Sequence, residues 1–301
     1  MKDKRSFIKR FIEFQNERLQ LGVLIFTTAA VVLSSVAVSL PVGDIVSNYY
    51  AEILISIFTL LVFMFHIRVL DEHKDFEFDS EHHKDRPVQR GLISLRELFV
   101  VDVLCLIVIL LINLFFPARA IFFLLLALGY TLLAGKEFFI KSWIRERFFL
   151  YNLLNLLQLL FLQFYLYALI NPNFSFGNPL LSIHFIFVLF NVGIIEFARK
   201  LKSKSEETSA NDTYSSRLGI KKAVLIYILI CLIVYGLFFY MMVNLVFSQF
   251  IFVLSLVFLN LVILSTLSYV SKNSKSSALI LQSFAALFYI AMHLLLVFTK
   301  L

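Results

Sequence analysis

The chain is short of charge. Only 16% of its 301 residues are Asp, Glu, Lys or Arg, while 60% are hydrophobic; ordinary soluble domains carry about 25% charged residues. That balance excludes a string of soluble domains and makes the chain a polytopic membrane protein. Cysteine is scarcer still. Cys105 and Cys231 each fall inside an apolar run, which excludes both a disulfide framework and a thiolate metal site. The few glycines form no Gly-rich nucleotide loop. Six histidines, three of them (His73, His82 and His83) on one loop, are too few for the ligand boxes of a membrane di-iron centre. The net charge of +7 would suit a nucleic acid if it were gathered on one soluble face. It is scattered between apolar runs instead, so no nucleic-acid partner is expected.

What is present in quantity is apolar length. Runs of about 17–25 residues suffice to cross a bilayer, and nine are found: 19–42, 49–70, 95–116, 118–135, 148–170, 180–198, 220–245, 249–270 and 277–299. Pro117 breaks the third from the fourth, and the turn-rich Asn171–Pro179 joins the fifth to the sixth. Residues 1–18 mix Lys and Arg with Phe7, Ile8, Phe11 and Ile12 at a spacing that fits an amphipathic helix on the membrane surface. The expected organisation is that segment followed by a single nine-helix domain over 19–301. Of the 27 Lys and Arg, all but Arg119 and Lys300 lie before the first run or in alternate connections. The positive-inside rule then places the N-terminus and every long polar loop in the cytoplasm and the C-terminus outside the cell membrane.

Charge gathers in one place, Arg68 to Ser94, where Asp71, Asp75 and Asp79 recur every fourth residue. Continued as a helix, each step of four overshoots a full circle by roughly 40°, so the three carboxylates share a face over about 12 Å. Glu72, Lys74 and Glu77 fall on other faces. Like charges at that spacing repel by a few tenths of a kcal/mol per pair. Spacing alone fits a solvated helix end and a cation-binding row equally well. Oxygen-only ligands in a row suit Mg²⁺, which completes its shell with waters and phosphate oxygens. Lys84, Arg86 and Arg90 follow, with donors suited to the same phosphate. Ser94 and Glu97 form a capping-box pattern after a break at Gly91.

These residues resemble the first aspartate-rich motif of the UbiA family of intramembrane prenyltransferases. The family reads N-x-x-x-D-x-x-x-D and then R-P-L-x-x-G-x-I-S; this chain has Asp71, Asp75, Asp79, Arg86-Pro87 and Gly91-Leu92-Ile93-Ser94. The resemblance runs the length of the chain, with a segment from Tyr130 to Lys136 after the fourth run and a second loop after the sixth. That second loop departs from the family's D-x-x-x-D: Glu196 stands at the first acid and Lys200 at the second, with Thr213 and Leu218-Gly219 beyond. Glu206, Glu207 and Asp212 are the other acids on hand there.

The resemblance implies nine helices around a central cavity open to the cytoplasmic side, with Mg²⁺ as cofactor. It implies an isoprenyl diphosphate as substrate, a prenyl acceptor it does not identify, and membrane lipid around the tail. Asp71, Asp75, Asp79 and Glu196 would be the metal ligands. Lys84, Arg86, Lys136, Glu196, Arg199 and Lys200 would be the catalytic set that meets the leaving charge. Cation transport and non-catalytic lipid binding on the same scaffold are the competing readings.

Other polar residues lie in the runs, where ionisable groups are functional candidates. Glu52 and His66 fall near the ends of the second run and are expected at the surface. Asp102, deeper in the third, is either a partner for a neighbouring helix or a cavity residue. Asn152, Asn155, Gln158 and Gln163 form a strip on the fifth run, expected to bond between helices or to position an acceptor. His184 and His293 are expected to be packed or hydrogen-bonded.

Overall fold

The computed structural model describes residues 5–40, 46–207, 211–245 and 247–299; Lys2, Lys4 and Lys300, used above to orient the chain, lie outside them. Every regular element among the described residues is helical. A short α1 (Phe7–Arg18) is followed by α2 (Leu21–Ser39) and α3 (Tyr50–Lys74). Then come α4 (Phe76–His82), α5 (Leu95–Asn113), α6 (Ala118–Gly135), α7 (Lys141–Arg145) and α8 (Phe148–Ile170). The remainder is α9 (Pro179–Arg199), α10 (Tyr214–Leu218), α11 (Ile220–Asn244), α12 (Gln249–Lys272) and α13 (Lys275–Phe298).

Nine of these helices have 18 residues or more, at about 1.5 Å of rise each, and they coincide with the nine apolar runs. Eight contain a stretch long and apolar enough to cross a membrane. The ninth, α5, carries Arg96 and Glu97 in its first turn and Asp102 further in. The first two sit at its capping box, where Ser94 Oγ accepts from the Glu97 amide and the Glu97 carboxylate accepts from the Ser94 amide at 2.9 Å. Gly91 adopts φ +79° just before that start, a left-handed conformation that costs glycine little.

Two compact units divide the described chain. The first, Met1–Thr28 with Tyr49–Pro172, holds α1 and α3 to α8. Its α3 and α5 are joined inside the apolar layer by polar pairs. His66 Nδ1 lies 2.8 Å from Asp102 Oδ2, with both side chains 4% exposed. Asn113 donates to Thr59 Oγ1 at 3.1 Å, and the Tyr165 hydroxyl of α8 donates to Asn113 Oδ1 at 2.8 Å. His66 is therefore not at a helix end as expected: α3 runs on to Lys74, which leaves His66 two turns inside. Asp102 is a partner for the neighbouring helix. At the foot of α3, Gly135 of α6 comes close enough that a Cβ there would sit 3.4 Å from Leu70 Cδ1.

The second unit, Ala29–Asn48 with Asn173–Leu301, holds the end of α2 and α9 to α13. In it Ser34 Oγ is bonded to His293 Nδ1 at 2.7 Å and to His184 Nε2 at 3.2 Å, all three fully buried. Both histidines are hydrogen-bonded packing residues, as expected.

Candidate functional site

The helix does not pass straight through the aspartate row. α3 ends at Lys74, Asp75 leaves helical geometry at φ −100°, ψ 9°, and α4 restarts at Phe76. The i→i−4 ladder nevertheless survives at each acid: Asp75 N to Asp71 O is 2.9 Å, Asp79 N to Asp75 O 2.8 Å and His83 N to Asp79 O 2.8 Å. The row thus keeps its shared face across a kink.

Each aspartate has its own cation. Lys74, expected on another face, reaches back to Asp71 Oδ1 at 2.8 Å and lies 5.4 Å from the Tyr151 ring centre of α8. An i,i+3 pair shares one helix flank, which the four-residue spacing concealed. Arg145 of α7 donates to Asp75 Oδ1 at 3.3 Å. Arg86 is paired with Asp79, whose side chain is 2% exposed. Burial, first of all, raises the Asp75 carboxyl above the usual aspartate range; Asp71 and Asp79 add to this, while Lys74 and Arg145 oppose it.

Arg145 and its support were absent from the sequence-derived set. Glu137, Phe138 and Phe139 take φ of 51°, 54° and 60°, a left-handed run that L-residues adopt at a cost of roughly 1–2 kcal/mol each. The turn buries Glu137 and lets it accept from Arg145 Nε at 2.5 Å. Glu137 thereby aims the other end of the guanidinium at Asp75. No glycine or asparagine occupies these three positions, and Gly135, which marks a turn in the sequence, ends α6 two residues earlier. Lys136, just before it, is exposed, as is Lys84. Arg90 faces α1, where it meets Glu13 and Glu17.

A crevice beside the row is lined by Asp71, Lys74, Thr131, Gly135, Asn155 and Gln158 among others. Asn152 and Asn155 donate to their own helix, at Phe148 O and Tyr151 O, both 2.8–2.9 Å. Part of the expected polar strip thus satisfies itself within α8 and presents Asn155 to the crevice.

In the second unit Glu196 ends α9 between its own cations, Arg199 Nη2 at 2.8 Å and Lys200 Nζ at 3.0 Å. The neighbouring acids are committed elsewhere. Glu206 accepts from Ser203 Oγ at 2.7 Å, and Glu207 accepts from Thr213 Oγ1 at 2.6 Å and Ser215 Oγ at 2.5 Å. They close their own loop. Asp212 is exposed. Tyr214 stacks on Phe197 with ring centres 3.9 Å apart, and burial raises its hydroxyl pKa.

Among the described residues no three His, Cys, Asp or Glu side chains stand ready to share a metal ion. Mg²⁺ does not require three: it is usually held by one or two carboxylates, with substrate phosphates and water completing an octahedron. Asp79 Oδ1 is buried with no hydrogen-bond partner among the described residues, so the row keeps a hard oxygen to offer. The donor set fits such an ion.

A polytopic all-helical membrane protein with a charge-balanced acidic row at the foot of one span is the class these features define. The profile of the UbiA prenyltransferase family matches residues 23–292, and the chain belongs to that family. A solved structure of digeranylgeranylglyceryl phosphate synthase superposes with a TM-score of 0.61 at 16% identity, covering 97% of this chain and 99% of that one; at that identity the likeness is one of fold. No curated protein sequence matches.

Proposed function

We propose that the protein transfers a prenyl group from an isoprenyl diphosphate to an acceptor, with the diphosphate held at the foot of α3. Family membership supports prenyl transfer in general. The observation that carries the assignment to this site is the alternation of three carboxylates with Lys74, Arg145 and Arg86. Carboxylates attract a divalent cation, and the cations beside them suit the phosphate oxygens that share it.

One or two of Asp71, Asp75 and Asp79 would hold the ion, which when bound would supply charge to neutralise the leaving diphosphate. Arg86 and Arg145 present planar forks suited to phosphate oxygens. Lys84 and Lys136 are exposed point charges able to swing toward the same group. At the end of α9, Glu196 orders Arg199 and Lys200, and Lys200 stands where the family carries a second acid.

The C–O bond breaks heterolytically toward an allylic cation, its electron pair leaving with the diphosphate, and the acceptor supplies the electrons of the new bond. Phe and Tyr faces beside the tail would stabilise such a cation, an attraction worth about 2 kcal/mol when desolvated. The basic-residue distribution supports the cytoplasmic side of the membrane as the place of this chemistry. Incubating purified protein with geranylgeranyl or farnesyl diphosphate, an acceptor mixture and Mg²⁺ tests the reading by diphosphate release. Release that needs Mg²⁺ supports it; none in any condition rejects it.

A further inference from the structure

We propose that α1 is a brace for the loop between α4 and α5, and that Arg90 is a positioning residue locked to α1 rather than a ligand of the diphosphate. The proposal deepens the reading above, because the braced loop is the one that carries Lys84 and Arg86.

The donor inventory of Arg90 decides its role. A guanidinium has five N–H groups, four of them on the two terminal nitrogens. Nη1 donates to Glu17 Oε2 at 2.7 Å and to the Asp85 carbonyl at 2.8 Å. Nη2 donates to Glu17 Oε1 at 2.6 Å and Glu13 Oε1 at 2.9 Å. Both arms of the fork are spent on α1 and on the loop's own backbone. The mutual pull is visible in acidity: the Arg90 hydrogen bond holds the Glu17 carboxyl below its usual range.

The loop's far end is tied to the same helix. Arg10 Nη1 donates to the Leu92 carbonyl at 3.0 Å, and Arg10 also grips Glu97 at 2.7 Å. A third tie reaches α3 beside the acid row: Arg18 Nε donates at 2.7 Å to Glu72, a fully buried residue next to Asp71. Beneath the polar ties, Phe14 of α1 is buried against Phe65, Val69, Val88, Ile93 and Leu98. Phe11 crosses Phe65 edge-on at 5.7 Å. The amphipathic helix therefore has two apolar faces. Ile8 and Ile12, 68% and 50% exposed, are left for lipid, while Phe11 and Phe14 enter the core.

The polar ties at Arg90 are a third or more exposed on each side chain, and pairs of that kind shift an equilibrium by about fivefold at most. Their loss should loosen the loop without unfolding the protein. The test combines steady-state kinetics with hydrogen exchange of the amides of residues 84–94 in detergent. Glu13→Gln with Glu17→Gln is expected to raise KM for geranylgeranyl diphosphate by about fivefold, leave kcat and the melting temperature unchanged, and speed exchange across the loop. Arg90→Glu should do the same, and adding Glu17→Arg to it should restore both readouts. The proposal is overturned if the neutralised glutamates leave KM and exchange as in the parent. It is equally overturned if Arg90→Glu impairs binding and the charge swap fails to rescue it, which is how a direct phosphate ligand behaves. Should the parent release no diphosphate, prenyl transfer falls, and the exchange arm still decides the brace.

Discussion

Arg145 lies 3.3 Å from Asp75 across 70 residues of chain, held there by a carboxylate, Glu137, that a left-handed turn pushes inward. One guanidinium thus serves an acid of the row and a buried acid of its own segment. The arrangement fixes a cation beside the row while leaving Asp75 a third exposed.

Glu137→Gln should keep the turn's shape but release the orienting charge. The expected result is a several-fold rise in KM for the diphosphate with kcat little altered, because the fork is misaimed rather than lost. Arg145→Lys should not rescue, since an ammonium cannot span Glu137 and Asp75 together. Steady-state kinetics on both variants check this.

Acidity at Asp75 gives a prediction of definite sign. Burial raises its folded-state pKa above the ordinary 3.8, so the folded protein holds this proton to higher pH than the unfolded chain does. The contribution is fully stabilising below that ordinary value and is lost as pH rises through the folded pKa. In the presence of a chelator, the melting temperature in detergent should therefore carry a falling component above pH 3.8 that Asp75→Asn abolishes. Adding Mg²⁺ should cancel the same component if the ion and the proton compete for the carboxylate.

His66 and Asp102 offer a stability test away from the site. Removing one partner of a buried pair typically costs about 3–5 kcal/mol. His66→Leu or Asp102→Leu alone should lower the melting temperature clearly, and the double change should recover much of the loss. Additive losses in the double variant would show that the contact carries no coupling.

Lys200 is expected to matter for rate rather than for fold. Lys200→Ala leaves Glu196 its Arg199 partner at 2.8 Å, so the second loop should persist while kcat falls by roughly an order of magnitude, the size of a single lost charge contact of about 1.4 kcal/mol. Full activity in Lys200→Ala would remove that residue from the account.

Much of the fold was legible because a bilayer leaves few solutions: apolar length reads directly as a helix, and the nine runs reappear within a few residues. The capping box at Ser94 and Glu97 and the row at Asp71, Asp75 and Asp79 were legible for the same reason, being local patterns. Partners distant in sequence were not. Nothing local joins Arg145 to Asp75, Arg90 to Glu17 or His66 to Asp102. Lys74 was misplaced because residues three apart lie on one helix flank, and only the four-residue spacing of the aspartates was followed. Glu206 and Glu207, open candidates in the sequence, turn out to be consumed by the serines and threonine of their own loop.

The most direct test of the central claim is diphosphate release from geranylgeranyl diphosphate by the purified protein, compared with Asp75→Asn and Asp79→Asn across a Mg²⁺ titration. The parent is expected to release diphosphate only with Mg²⁺, and each variant to lose at least about a hundredfold, the scale on which a positioned charge contributes to a leaving group. Variants that release diphosphate as fast as the parent, at the same Mg²⁺ concentration, would contradict that claim.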